Sequence, residues 1–168
     1  MEPHKGKSAR AAPLYTPEQR RRRDATAWTL VQGVLAPVQF VIFLVSLGLV
    51  VRYLFTGEGY ELATASILVK TLTLYTIMVT GAIWEKVVFG QYLLAAAFFW
   101  EDVVSFFVIA AHTFYVAVLF WGVFGSTAQM AIALVAYALY AVNAAQFLLK
   151  LRAARLQGDR AQPDGVPA

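Results

Sequence analysis

Three carboxyl side chains fall near one another along the chain, Glu85, Glu101 and Asp102, with Lys86 beside the first and the aromatic run Phe98, Phe99, Trp100 beside the other two. Carboxyl groups that converge in a half-dry setting can hold a proton and pass it on, which is the chemistry of a general acid and its base. An acid at a helix N-terminus also simply favours the helix dipole, and for Asp102 that reading suffices. His112 is the one histidine inside an apolar run. It is suited to ligating the central metal of a tetrapyrrole, to relaying protons, or to a structural hydrogen bond with Asn143 or Gln39. Its solitude argues against a membrane cytochrome, whose haem takes histidines from facing helices. Ser105, four residues after Glu101 and seven before His112, shares their helix face. Lys70 lies about two turns inside another apolar run, where its long stem is expected to snorkel to the outer surface.

The elements that must position these groups are membrane helices. Of the 168 residues 60% are hydrophobic and 14% charged, and the mean hydropathy is +0.61. Four runs exceed the ~18 apolar residues that cross the hydrocarbon core, at about 28–54, 63–84, 100–124 and 128–149. The expected fold is therefore all-α, an integral bundle of four transmembrane helices, with no room for a separate soluble domain. The net charge of +4 does not indicate nucleic acid, because the basic residues sit at the chain ends beside apolar spans. With no cysteine, disulfides, thiolate nucleophiles and Cys-ligated metals are excluded.

Residues 1–15 and 157–168 read as disordered cytoplasmic tails around a membrane domain at 16–156, and nothing near the N-terminus resembles a cleaved signal. Thr16, Pro17 and Gln19 spell a capping box with proline at the first helical position, so a short surface helix carrying Arg20 to Arg23 is expected. Pro37 predicts a kink in the first span. Glu85 to Phe99 is read as a broken helix or re-entrant loop. Lys and Arg flank the start of the first span, the second connection and the end of the fourth span, while the other side has only Arg52 near a helix end. The positive-inside rule then places both termini in the cytoplasm.

Helical spacing predicts an inward polar line on every span. These are Gln32, Gln39, Ser46; Thr73, Thr80, Trp84; Glu101, Ser105, His112; and Gln129, Ala136, Tyr140, Asn143, Lys150. Hydrogen bonding between helices accounts for the amides and hydroxyls. Ionisable groups at such depth default to function.

Long stretches of the chain resemble one family. LYTPEQRRRRDATAWTLVQGVLAPVQF (Leu14 to Phe40), ATASILVKTLTLY (Ala63 to Tyr75), IMVTGAIWEKVVFGQYL (Ile77 to Leu93), FFWEDVVS (Phe98 to Ser105) and NAAQFLLKLRAARL (Asn143 to Leu156) are similar to the 3-vinyl bacteriochlorophyllide hydratases of phototrophic bacteria. The resemblance covers all but the tails. It implies an enzyme of bacteriochlorophyll synthesis, a hydro-lyase that adds water to the vinyl group of a magnesium chlorin and leaves a 1-hydroxyethyl group. It also implies a bacterial cytoplasmic or intracytoplasmic photosynthetic membrane, with other enzymes of the same route as candidate partners.

The resemblance carries no catalytic residues with it, so the site is argued from the reaction. Protonating the terminal vinyl carbon leaves a cation that the macrocycle delocalises, and water then adds to the inner carbon. Such a site needs an acid, a positioned water with its base, nearby negative charge and an apolar slot; no redox cofactor or added metal is needed. Glu101 and Glu85 are the expected acid and base, with Asp102 third. His112 is the expected axial ligand to the substrate's magnesium, Ser105 the holder of the water, and Phe98, Phe99 and Trp100 the ring contacts. Asn143 and Gln39 complete the candidate lining. A non-catalytic pigment carrier or photosystem assembly factor would use the same slot. A transporter would need more ionisable groups along its path than Lys70 and His112.

Overall fold

The computed structural model describes residues 14–161, with side chains through residue 154, and is all-helical over that range. Expectations for the outer parts of both tails, and His4, lie outside the described residues. A short helix α1 (Pro17–Ala25) precedes four long ones, α2 (Ala27–Thr56), α3 (Tyr60–Phe89), α4 (Phe99–Trp121) and α5 (Ser126–Ala161), and these four are long and apolar enough to cross a membrane. Tyr15, on Phe89, and Lys150, on Ala97, lie at the same end of the bundle, called here the terminal side.

Helix α1 starts as its sequence demands: Thr16 Oγ1 accepts from the Gln19 backbone N–H, and the Gln19 side chain accepts from the Thr16 N–H. The first span, α2, runs as one helix through Pro37. Three boundaries differ from the sequence reading. Helix α3 continues past Glu85 to Phe89, so Glu85 belongs to a helix end and not to a re-entrant loop. It stops at Gly90, whose φ of +88° only glycine adopts without strain. At the N-terminus the order begins before residue 16, because Tyr15 is buried; at the other end α5 extends beyond residue 156.

The bundle consists of two helical hairpins, α2–α3 and α4–α5, joined by contacts of α5 with α2 and of α4 with α3. The predicted polar lines face inward and stitch it together. Gln32 donates to Thr80 at 2.7 Å and Trp84 donates to Thr29 at 2.9 Å, both between α2 and α3. Deeper, the Ser46 hydroxyl meets Ser66 at 2.7 Å and Tyr137 at 2.5 Å, tying α2, α3 and α5 at one point. Removing one arm by Tyr137→Phe is expected to lower stability by about 1 kcal/mol. Thermal unfolding in detergent checks this, and the loss should vanish when Ser46 is already alanine. Thr73 makes no such link, bonding only the Val69 carbonyl of its own helix.

Candidate functional site

The loop 90–98 folds back over the end of α3 and delivers the chain to α4, bringing Glu85 against the first turn of α4. Glu85, Glu101 and Asp102 are all buried there. Because Leu94 and Ala95 are adjacent in the loop and bind Asp102 and Glu85 respectively, the two carboxyls are brought to one place. Two carboxyl groups held together out of water can share one proton, which would give the pair a donor and an acceptor.

Each partner is also held by the loop backbone. The Leu94 N–H donates to Asp102 Oδ2 at 2.7 Å, and the Ala95 N–H donates to Glu85 Oε2 at 3.2 Å. Leu94 holds φ at +59°, a left-handed conformation that costs an L-residue about 1 kcal/mol. The residue in that conformation is the one whose N–H reaches Asp102.

Glu101 is differently engaged. Lys150, reaching back from α5, donates to its carboxylate and to the Ala97 carbonyl. The ion pair is largely shielded, with side-chain exposures of 24% for Lys150 and 9% for Glu101. Of the three carboxyls, Glu101 is the one paired with a cation, while Glu85 and Asp102 are held by loop amides.

An aromatic cluster closes this end of the bundle. Phe98 stacks on Phe147 at 6.0 Å and meets Trp84 and Phe89 edge-on, while Tyr15 stacks on Phe89 at 5.8 Å. The Arg23 guanidinium lies 4.8 Å from the Tyr15 ring centre. Burial raises the Tyr15 phenol above its ordinary value, with Arg23 pulling the other way, so it stays a neutral packing group. The expected aromatic shelf is split: Phe98 is internal, whereas Phe99 and Trp100 point outward at 41% and 69% exposure.

One turn below the carboxyls, Ser105 donates to the Glu101 carbonyl and accepts from Asn143 Nδ2 at 2.8 Å. The Asn143 amide oxygen is buried with no partner. His112 lies about 15 Å of helix rise below Asp102. Its Nδ1 bonds the Val108 carbonyl at 2.8 Å, so it makes neither of the structural contacts, with Asn143 or Gln39, that its sequence suggested. A carbonyl only accepts, so Nδ1 carries the proton and Nε2 keeps its lone pair, which is buried and unpartnered. Gln39, also buried, has a free side-chain oxygen.

Lys70 does not snorkel. Its residue is 0% exposed, and its ammonium sits 3.5 Å from the Tyr140 ring centre. The bundle thus holds two polar levels, a carboxyl level at its terminal side and a Lys70–His112 level in its middle, with Ser105 and Asn143 between them.

Sequence reasoning missed Lys150, Tyr15, Phe89 and Phe147 as parts of this site. Only Lys150 carried a readable signal, seven residues beyond Asn143 on the same helix face.

Comparison with known proteins bears on what this arrangement does. The profile of a family described as 2-vinyl bacteriochlorophyllide hydratase (BCHF) matches residues 15–153. A Rhodobacter capsulatus protein named 2-vinyl bacteriochlorophyllide hydratase is 72% identical over 144 residues, 86% of this chain and 84% of the relative. A Cereibacter sphaeroides protein of the same name is 70% identical over 149 residues, 89% of this chain and 92% of the relative. No solved structure matches the chain.

Proposed function

This chain belongs to the 2-vinyl bacteriochlorophyllide hydratase family, and from that premise we propose that it adds water to the vinyl group of a magnesium chlorin through the carboxyl group at its terminal side. The locants 2 and 3 denote the same vinyl substituent in the two numberings of the macrocycle. The observation that carries the site assignment is the Glu85–Asp102 carboxyl pair, buried and gripped by two adjacent loop amides.

The reaction needs a proton at the terminal vinyl carbon and hydroxide, in effect, at the inner one. The protonated member of the pair supplies the first. When it does, the Leu94 and Ala95 amides steady the oxygens left negative. The cation that develops beside the macrocycle is faced by the Glu101 carboxylate, held in place by Lys150. Water adds to that cation and returns its proton to the pair, which closes the cycle with no net change in the protein. The free oxygen of Asn143 and the Ser105 hydroxyl are the groups that hold this water.

The lone pair on His112 Nε2 is the right donor for the axial position of the substrate's magnesium. With the metal there, the vinyl group, a few bonds outside it, would point towards Ser105 and Asn143, about 10 Å of rise above His112. It falls short of the carboxyls, and the proton crosses the remaining turn through a water. Phe99 and Trp100, on the outer flank of α4, offer the pigment a surface on its way in from lipid. The cation-rich sequence at both chain ends supports a cytoplasmic terminal side, in a bacterial inner or intracytoplasmic photosynthetic membrane.

Incubating the purified protein with chlorophyllide a in oxygen-18 water tests the activity. One labelled oxygen in a 1-hydroxyethyl product is expected; tight pigment binding without label would replace the enzyme by a carrier.

A further inference from the structure

Among the described residues, Lys70 is the one buried lysine or arginine that the hydration chemistry leaves without a task. It lies in α3 with 0% exposure, and its ammonium has no hydrogen-bond partner among the described residues. Its nearest favourable contact is the face of the Tyr140 ring. All the described acids inside the spans that are buried, Glu85, Glu101 and Asp102, belong to the other polar level and have partners there. A cation–π contact returns only part of what an ammonium loses on leaving water, and a lone charge deep in a bundle marks the place of a counter-ion.

The surroundings are built for a ligand as well. His112 Nε2, on the adjoining helix α4, is also buried and unpartnered. Two buried polar atoms without protein partners, on α3 and α4, describe a place that something polar fills.

We propose that Lys70 is the counter-ion for the carboxylate of the pigment's propionate side chain. This rests on the hydratase reading: a chlorophyllide differs from a chlorophyll in carrying this group as a free acid. On a chlorin whose magnesium sits on His112, the vinyl group and the propionate project from different edges of the macrocycle. With the vinyl turned up towards Ser105 and Asn143, the acid arm is left in the middle of the bundle, where Lys70 is. Lys70 then selects the free acid over an esterified pigment and sets which edge of the ring faces the carboxyl pair.

The test is a fluorescence titration of the detergent-purified full chain with chlorophyllide a and with its methyl ester. Wild type is expected to bind the acid between about ten- and a hundredfold more tightly than the ester, the contribution of one charge-assisted bond. Lys70→Met should bind both equally, at the affinity wild type shows for the ester, and Lys70→Arg should restore much of the preference. Equal binding of acid and ester by wild type, with both hydrated, overturns the Lys70 assignment and leaves the hydratase reading standing; failure of wild type to bind either pigment removes both. A bilayer offers a second carboxylate, that of a fatty acid. Oleate should not displace chlorophyllide a, and displacement that disappears in Lys70→Met would assign the lysine to lipid instead.

Discussion

Replacing either Glu85 by Gln or Asp102 by Asn is expected to slow hydration of chlorophyllide a by about 10²–10⁴-fold, the usual worth of a positioned proton donor. The amides are nearly isosteric, and their carbonyl oxygens still accept from the Ala95 and Leu94 N–H groups, so the loop should stay where it is. What each substitution removes is the ability of that member to carry or receive the transferred proton. The unfolding temperature in detergent is accordingly expected to move little while the rate collapses. Because the two carboxyls act as one unit, the double variant should be no slower than the slower single one. Glu101→Gln is expected to cost less, since Glu101 acts through its charge and not by giving up a proton. Wild-type rates in both Glu85→Gln and Asp102→Asn would remove the pair from the mechanism, and a double variant slower by the product of the two single losses would mean that they act separately.

Much of this architecture could be read before any coordinates, and the rest could not, for definable reasons. Apolar runs of membrane length fix the four spans, because lipid allows a chain few other solutions. Helical spacing brought Gln39, Ser46, Ser105, His112, Asn143 and Lys150 to inward faces, and all six are buried or half-buried. The end of α3 was misplaced at Glu85 because a charged pair interrupts hydropathy without interrupting a helix. The stop is Gly90, where the backbone turns left-handed. Lys70 was sent to the surface by a rule about side-chain length, whereas its direction depends on which face of α3 meets Tyr140, a tertiary fact. Tyr15 was out of reach for the same reason, and so was the partner of Lys150, though not its inward face: each contact joins residues more than 40 apart in sequence, on Phe89, Phe98 or Glu101. The pairing of Glu85 with Asp102, the centre of the proposed chemistry, depends on a loop conformation that Leu94 adopts against its own preference.

Lys150→Met is expected to lower both stability and rate, and separating the two effects tests the role given to Glu101. The substitution strips the Glu101 carboxylate of its cation and leaves the charge shielded from water, for which about 3 kcal/mol of destabilisation is the usual scale. It also frees the Ala97 carbonyl at the end of the loop that carries the amide grips. Adding Glu101→Gln removes the stranded charge, so the double variant should recover most of the lost stability in a chemical unfolding series. The rate should not recover with it, because the negative charge that faces the developing cation is then gone. Should the double variant regain activity along with stability, Glu101 is a structural partner of Lys150 and nothing more. Should Lys150→Met unfold like wild type, solvent already screens the pair, and Glu101 would be as free as its neighbours to serve as an acid. The stability readout therefore decides between a fixed anion and a third proton carrier, which activity alone cannot do.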